Sequence, residues 1–132
     1  MAETKITSEE IVALSKREGF LAKQLYVIFT EPTNGLRPVM ENIKAHLEFQ
    51  IALEKQGIMF AAGPNWSDDE KSWDGDGMVV IRAQTLAAAH EIAERDPMHK
   101  SGARKFRIRP WLVNEGTMSV RLNLSKGSFE MT

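Results

Sequence analysis

Residues 37–64 read RPVMENIKAHLEFQIALEKQGIMFAAGP, and the rest of the chain is organised around them. Pro38 suits the first position of a helix, where a missing N–H and a fixed φ cost nothing. Met40, Ile43, Leu47 and Ile51 then recur at three- and four-residue spacing, predicting one apolar stripe against a sheet. Gly57, after Lys55, stands where a left-handed C-terminal cap is needed. Ile58 to Ala62 is a short apolar run ended by Gly63-Pro64, which predicts a buried strand. His46 interrupts this pattern. It shares a helical face with Ile43, Gln50 and Leu53, at the edge of the stripe.

Composition narrows the class. The 132 residues are 42% hydrophobic and 27% charged, which suits one ordinary globular domain with its own core. A formal net charge of −1 supplies no electrostatic reason to bind nucleic acid or an acidic membrane. No apolar run approaches the roughly twenty residues that span a bilayer. The start, MAETKITSEE, lacks the basic and apolar segments of a signal peptide, so the expected location is the cytoplasm. With no cysteine there is no disulfide framework, thiol nucleophile or thiolate metal site.

Outward from the central stretch, Thr7 and Glu10 form a capping-box signature. Ile11, Val12, Leu14 and Leu21 then predict an amphipathic helix to about Phe20. Leu25 to Thr30 (LYVIFT) is rich in aromatic and β-branched residues and predicts a strand. After Pro64 comes a polar loop, NWSDDEKSWDGDG, over 65–77. Met78 to Ala83 predicts another strand. Thr85 caps a helix over Leu86, Ala89, Ile92 and Ala93 that stops before Asp96-Pro97, because the residue before proline disfavours helix. Lys105 to Val113 alternates charged and apolar residues as far as Pro110, as a strand with one covered face does. The order is βαββαβ, a ferredoxin-like α+β plan. Met118, Val120, Leu122 and Leu124 predict a further strand that pairs with a sheet edge, in its own or a partner subunit, before a turn at Lys126-Gly127.

Arg37-Pro38, His46-Leu47, the late Gly57 and Ala62-Gly63-Pro64 together resemble the YCII-related family. The spacing carries the resemblance best: His46 stands sixteen residues before Ala62, as the family's histidine stands before the alanine of its AGP. The resemblance implies a dimeric α+β barrel, hence a homodimer formed through the open face of the sheet. On this reading 1–132 is a single domain, with 1–21 a helical extension, 24–113 the core and 114–132 a strand extension. It implies that His46 and Asp96, which follows the second core helix, form an active-site pair. A carboxylate on one imidazole nitrogen fixes the tautomer and leaves the other nitrogen to move protons. Arg109, in Arg109-Pro110-Trp111, resembles part of the family's final strand, from which it would face the pocket and hold an anionic group. Relatives of this type include muconolactone-type isomerases and a dehydrochlorinase of a chlorinated hydroxyquinol. The implied function is therefore a lyase or isomerase step of aromatic catabolism, without a cofactor, on a small cyclic or aromatic metabolite.

Blander readings stand beside these. His46 and Asp96 also fit a buried polar pair that caps the second core helix and fixes the fold. Trp66 and Trp73 form either a lid or stacking wall beside a pocket, or the anchors of a solvated loop. His99 lies within a turn of Asp96, as a pocket-rim residue or a structural one. Asp74-Gly75-Asp76-Gly77 lacks the further acidic positions and distal Glu of a calcium loop, so no metal is expected. The basic run Lys100, Arg104, Lys105, Arg107 and Arg109 offers a single interleaved aromatic, Phe106, too few for a nucleic-acid platform. As a whole the chain fits either an enzyme or a non-catalytic module that binds a small ligand through the same residues. A dimerisation domain with no ligand would show His46 enclosed, with no cavity beside it.

Overall fold

The computed structural model describes residues 4–132, so the first three residues of the expected 1–21 extension lie outside it. The chain divides into two compact units: Gln24–Leu112, and Met1–Lys23 with Val113–Thr132.

The 24–112 unit holds a four-stranded sheet and three helices. Its elements are β1 (Lys23–Pro32), α2 (Leu36–Lys55), β2 (Met59–Pro64), β3 (Gly77–Ile81), α3 (Leu86–Glu94), α4 (Pro97–Lys100) and β4 (Arg104–Val113). The strand order β2-β3-β1-β4 is that of the ferredoxin-like fold, and β3 runs antiparallel to both β1 and β2. Alternation sorts β1 into two faces. Tyr26 and Ile28 join Val79 and Ile81 of β3 and pack on Ala89 and Ala93 of α3, with Phe106 and Ile108 of β4 beside them. On the other face of these strands Leu25, Val27 and Val80 are buried.

The central helix departs from expectation in an informative way. It begins two residues earlier, at Leu36, with Gly35 as N-cap, so Pro38 is its third residue. That position is equally permissive, because none of the first four N–H groups has an intrahelical partner. The end is as predicted: Gly57 has φ 73°, and Gly57 and Ile58 donate to the Glu54 and Leu53 carbonyls in a Schellman motif. The face it buries is not the apolar stripe. Met40, Leu47 and Ile51 are each about half exposed, whereas Val39, His46, Gln50 and Leu53 are buried. Two of those four are polar, and counting apolar residues cannot find a face built that way.

The predicted buried strand over 58–62 is an exposed one. β2 lies at the sheet edge and extends through Gly63 to Pro64, where a residue with no N–H is tolerated. α3 is capped by Thr85 as expected, but Asp96 caps a further short helix, α4, that no local pattern announces.

In the other unit Thr7 caps α1 (Ser8–Arg17) by accepting from the Glu10 N–H. The helix stops before Phe20 because Gly19, at φ 79°, forms a second Schellman turn with Phe20. Asn114 binds this unit together: its amide donates to Ser15 Oγ and accepts from the Ala22 N–H. β5 (Val120–Asn123) pairs with β6 (Ser128–Met131) as a separate antiparallel hairpin, so within its own subunit the expected sheet edge is replaced by a local partner.

Gly75 fixes the 65–77 loop. It adopts φ 95°, and a Cβ there would lie 2.8 Å from the Pro32 side chain and 3.1 Å from that of Leu36. Gly75→Ala combines left-handed strain with this clash and should cost about 1–3 kcal/mol. Denaturant unfolding checks it, and an unchanged midpoint would contradict the loop placement.

Candidate active site

A cavity of about 380 Å³ opens beside α2, within the range of small-molecule sites. Its apolar wall includes Ile43, Leu47 and Ile51 of α2 with Met59, Met78 and Val79 of the sheet. The stripe expected to meet the core thus largely faces this space. Its polar groups come from His46 and Gln50 on α2, Thr30 on β1, Arg104 on β4, and Trp73 and Asp76 on the loop, with Glu54 near the end of α2. His46 is therefore not sealed in, as it would be in a domain without a ligand site.

Asp96 approaches His46 from behind the cavity wall. Its two carboxylate oxygens each lie 2.9 Å from His46 Nδ1, and Oδ1 also accepts from the Met98 N–H at 2.9 Å. A carboxylate accepts, so Nδ1 carries the proton and Nε2 is left with its lone pair. The proline after Asp96 sets this up. It ends α3, starts α4, and leaves the Asp side chain to serve as N-cap and imidazole partner together. Asp96 is 4% exposed, and the helix it caps is α4 rather than the second core helix.

Gln50, one turn beyond His46, points its Nε2 at His46 Nε2 over 3.4 Å. Its Oε1 is the one buried side-chain polar atom among the described residues without a hydrogen-bond partner. A buried polar atom left unpaired costs stability, and its retention beside a cavity points to a role in binding or chemistry.

The tryptophans and the remaining candidates part company. Trp73 is half-buried, lines the cavity and donates its indole N–H to the Asp76 carbonyl at 2.7 Å. Trp66 is 62% exposed and does not line it. Arg109 is exposed on β4, also outside the cavity; the arginine that reaches it is Arg104, at the start of that strand. Neither Arg104 nor Gln50 was singled out by the sequence. Gln50 carried a signal in its i+4 relation to His46, while nothing in the basic run distinguished Arg104 from its neighbours. Arg107 covers the Phe29 ring at 4.6 Å, which accounts for one basic side chain on the outer face of the strand. No helix among the described residues is long and apolar enough to cross a membrane, and among them no three His, Cys, Asp or Glu side chains gather as a metal site.

His99 is committed elsewhere. Its Nδ1–H donates to the Ala93 carbonyl at 2.6 Å and its Nε2 meets Thr30 Oγ1 at 2.8 Å. Desolvation lowers its pKa below the ordinary 6.5, opposed by the Ala93 hydrogen bond and the Asp96 charge and aided by the charge of Arg104. The neutral ring then accepts from the Thr30 hydroxyl. A histidine depressed in the folded state binds fewer protons than in the unfolded chain, so stability rises with pH across that interval. Acidification below about 6.5 should therefore lower the melting temperature, and His99→Gln should flatten that slope. Thermal melts of both proteins between pH 7.5 and 5 check this; parallel slopes would contradict it.

Comparison with known proteins bears on the fold and the family. No curated protein matches the chain. Among solved structures, one similar chain is 5-chloro-2-hydroxyhydroquinone dehydrochlorinase from Burkholderia phenoliruptrix AC1100, in complex with 2,5-dihydroxybenzoquinone. It superposes with a TM-score of 0.55 at 22% identity, over 66% of this chain and 92% of the other, a likeness of fold. The profile of the YCII-related domain matches residues 24–112, the span that carries the sheet, His46, Asp96 and the cavity. The chain belongs to the YCII-related family.

Proposed function

We propose that this protein is a cofactor-free acid–base enzyme, a lyase or isomerase acting on a small cyclic or aromatic molecule bound in the His46 cavity. The observation that carries the reading is the ordered contact Asp96–His46–cavity. His46 Nδ1 is held at 2.9 Å by a buried carboxylate, and the ring lines a space large enough for one aromatic ring.

Such a pair works by holding and moving one proton. His46 Nε2 takes it from an acidic C–H or O–H, and Asp96 compensates the imidazolium that results. In an isomerisation the proton returns at another carbon. In a dehydrochlorination the electrons of the broken C–H bond form a new double bond, and chloride departs with its own bonding pair. Gln50, 3.4 Å from Nε2, gives up that contact when a substrate proton takes its place. The likeness to a dehydrochlorinase that binds a dihydroxybenzoquinone supports a planar oxygenated ring as the substrate type. The apolar wall of Ile43, Leu47, Ile51 and Met59 suits the faces of such a ring.

Deuterium exchange tests the chemistry without requiring the true substrate. The protein in D₂O should accelerate exchange of ring C–H in a panel of cyclic carbon acids headed by 2,5-dihydroxybenzoquinone, read by proton NMR. His46→Gln keeps a donor for Asp96, and Asp96→Asn keeps a helix cap, so both should remain folded. Each should lower the exchange rate by about 10²–10⁴-fold. Binding of the panel with no acceleration, or exchange indifferent to His46, would favour a non-catalytic ligand-binding module instead.

A further inference from the structure

Arg104 is a cation with an unusual amount of its charge left unmatched. It is 5% exposed, and its Nε–H donates to the Gly75 carbonyl at 2.8 Å. Its two terminal nitrogens donate to no group among the described residues, and no carboxylate there lies within 4.0 Å of the guanidinium. Nor are those nitrogens sealed in, since Gln50 Oε1 alone is both buried and unpartnered. Arg104 lines the cavity with His46, Gln50 and Asp76. Asp96 and Asp76 attract it from beyond contact distance, while desolvation lowers its pKa from the ordinary arginine value.

A buried guanidinium with no carboxylate in direct contact is costly unless a bound group pairs its free N–H groups. The planar fork matches two oxygens of one anionic group better than any single point charge does. The fork is also held still. Gly75, which fixes the loop, accepts from Nε, and the Trp73 indole lies 6.0 Å from the guanidinium carbon and pins the loop through Asp76. A preorganised donor loses little entropy when its partner arrives.

We propose that Arg104 is the anion-binding residue of the cavity, and that the molecule taken there presents an organic oxyanion, a carboxylate or enolate, to its free N–H groups. This names the substrate class for the reading above and rests on it for the chemistry, but not for the binding. An anion held at Arg104 sets the ring in place over the apolar wall, with a proton-bearing atom left to His46. A neutral analogue of the same shape fills the space and leaves the guanidinium unpaired, which is the kind of mismatch that discriminates strongly.

Benzoate and benzamide are the probes, being nearly the same shape with and without the charge. Titration into the full chain, followed by calorimetry and by tryptophan emission, should show benzoate binding at least about tenfold more tightly. Arg104→Met should abolish the preference, Arg104→Lys should keep part of it, and His46→Gln should keep nearly all of it. Equal affinity for the two probes in the unmodified protein, binding of neither at millimolar concentration, or a preference that survives Arg104→Met would each overturn the assignment. Should Arg104→Met fail to fold, the unmodified protein and Arg104→Lys still decide it. Loss of charge preference with His46-dependent deuterium exchange intact would remove the anion assignment and leave the acid–base reading. Retained preference with no exchange would do the reverse.

Discussion

A carboxylate at 4% exposure has to be compensated, and Asp96 is compensated twice over, by the Met98 N–H and by His46. The demand comes from desolvation: an ionised group out of water is stable when each lone pair meets a donor. Much of the site follows from that demand. Pro97 stops α3 at the right point, α4 offers the Met98 N–H, and α2 brings an imidazole to the remaining side. His46 is then confined to one tautomer and one orientation. A purely structural pair would gain little from an apolar cavity on the far side of the ring, yet the cavity is there. That cavity supports the proposed role for the imidazole.

Around this pair the helix α2 serves two surfaces. Val39 and Leu53 anchor it at either end of its buried face, and His46 and Gln50 occupy the middle. The neighbouring Ile43, Leu47 and Ile51 line the cavity, which explains why so apolar a stripe stays half exposed. The cavity thus has a floor of polar groups and walls of aliphatic ones. That combination suits a flat molecule with a few oxygens at its edge. The loop over 65–77 completes the enclosure through Trp73, which is tied down by its own hydrogen bond and by the fit of Gly75 against Pro32 and Leu36.

What the sequence revealed and what it hid divide along physical lines. The βαββαβ order, the Thr7 and Thr85 caps and the Gly57 stop were legible because each depends on residues close in the chain. The pairing of His46 with Asp96, fifty residues apart, was reachable only as what the resemblance to the YCII-related family implies, and not through local pattern. Hidden features depended on tertiary placement. Periodicity marked Leu47 and Ile51 as core, since a counting rule cannot tell a core from a cavity wall. β2 looked buried because its residues are apolar, but edge position governs its exposure. Of the five basic residues near β4 the family resemblance singled out Arg109, and only folding shows that Arg104 is the buried one and Arg109 the exposed one. The β5–β6 hairpin escaped notice because Ser128–Met131 is too short to register as a strand alone.

The central claim is that Asp96 holds His46 with its proton on Nδ1, so that Nε2 is the nitrogen available to a substrate. Long-range proton–nitrogen correlation on the ¹⁵N-labelled protein measures this directly, because the two ring nitrogens have distinct shifts in each tautomer. For neutral His46 the account predicts a protonated Nδ1 and an unprotonated Nε2, with the order relaxing toward a tautomeric mixture in Asp96→Asn. A proton resident on Nε2, or a tautomer mixture already present in the unmodified protein, would contradict it.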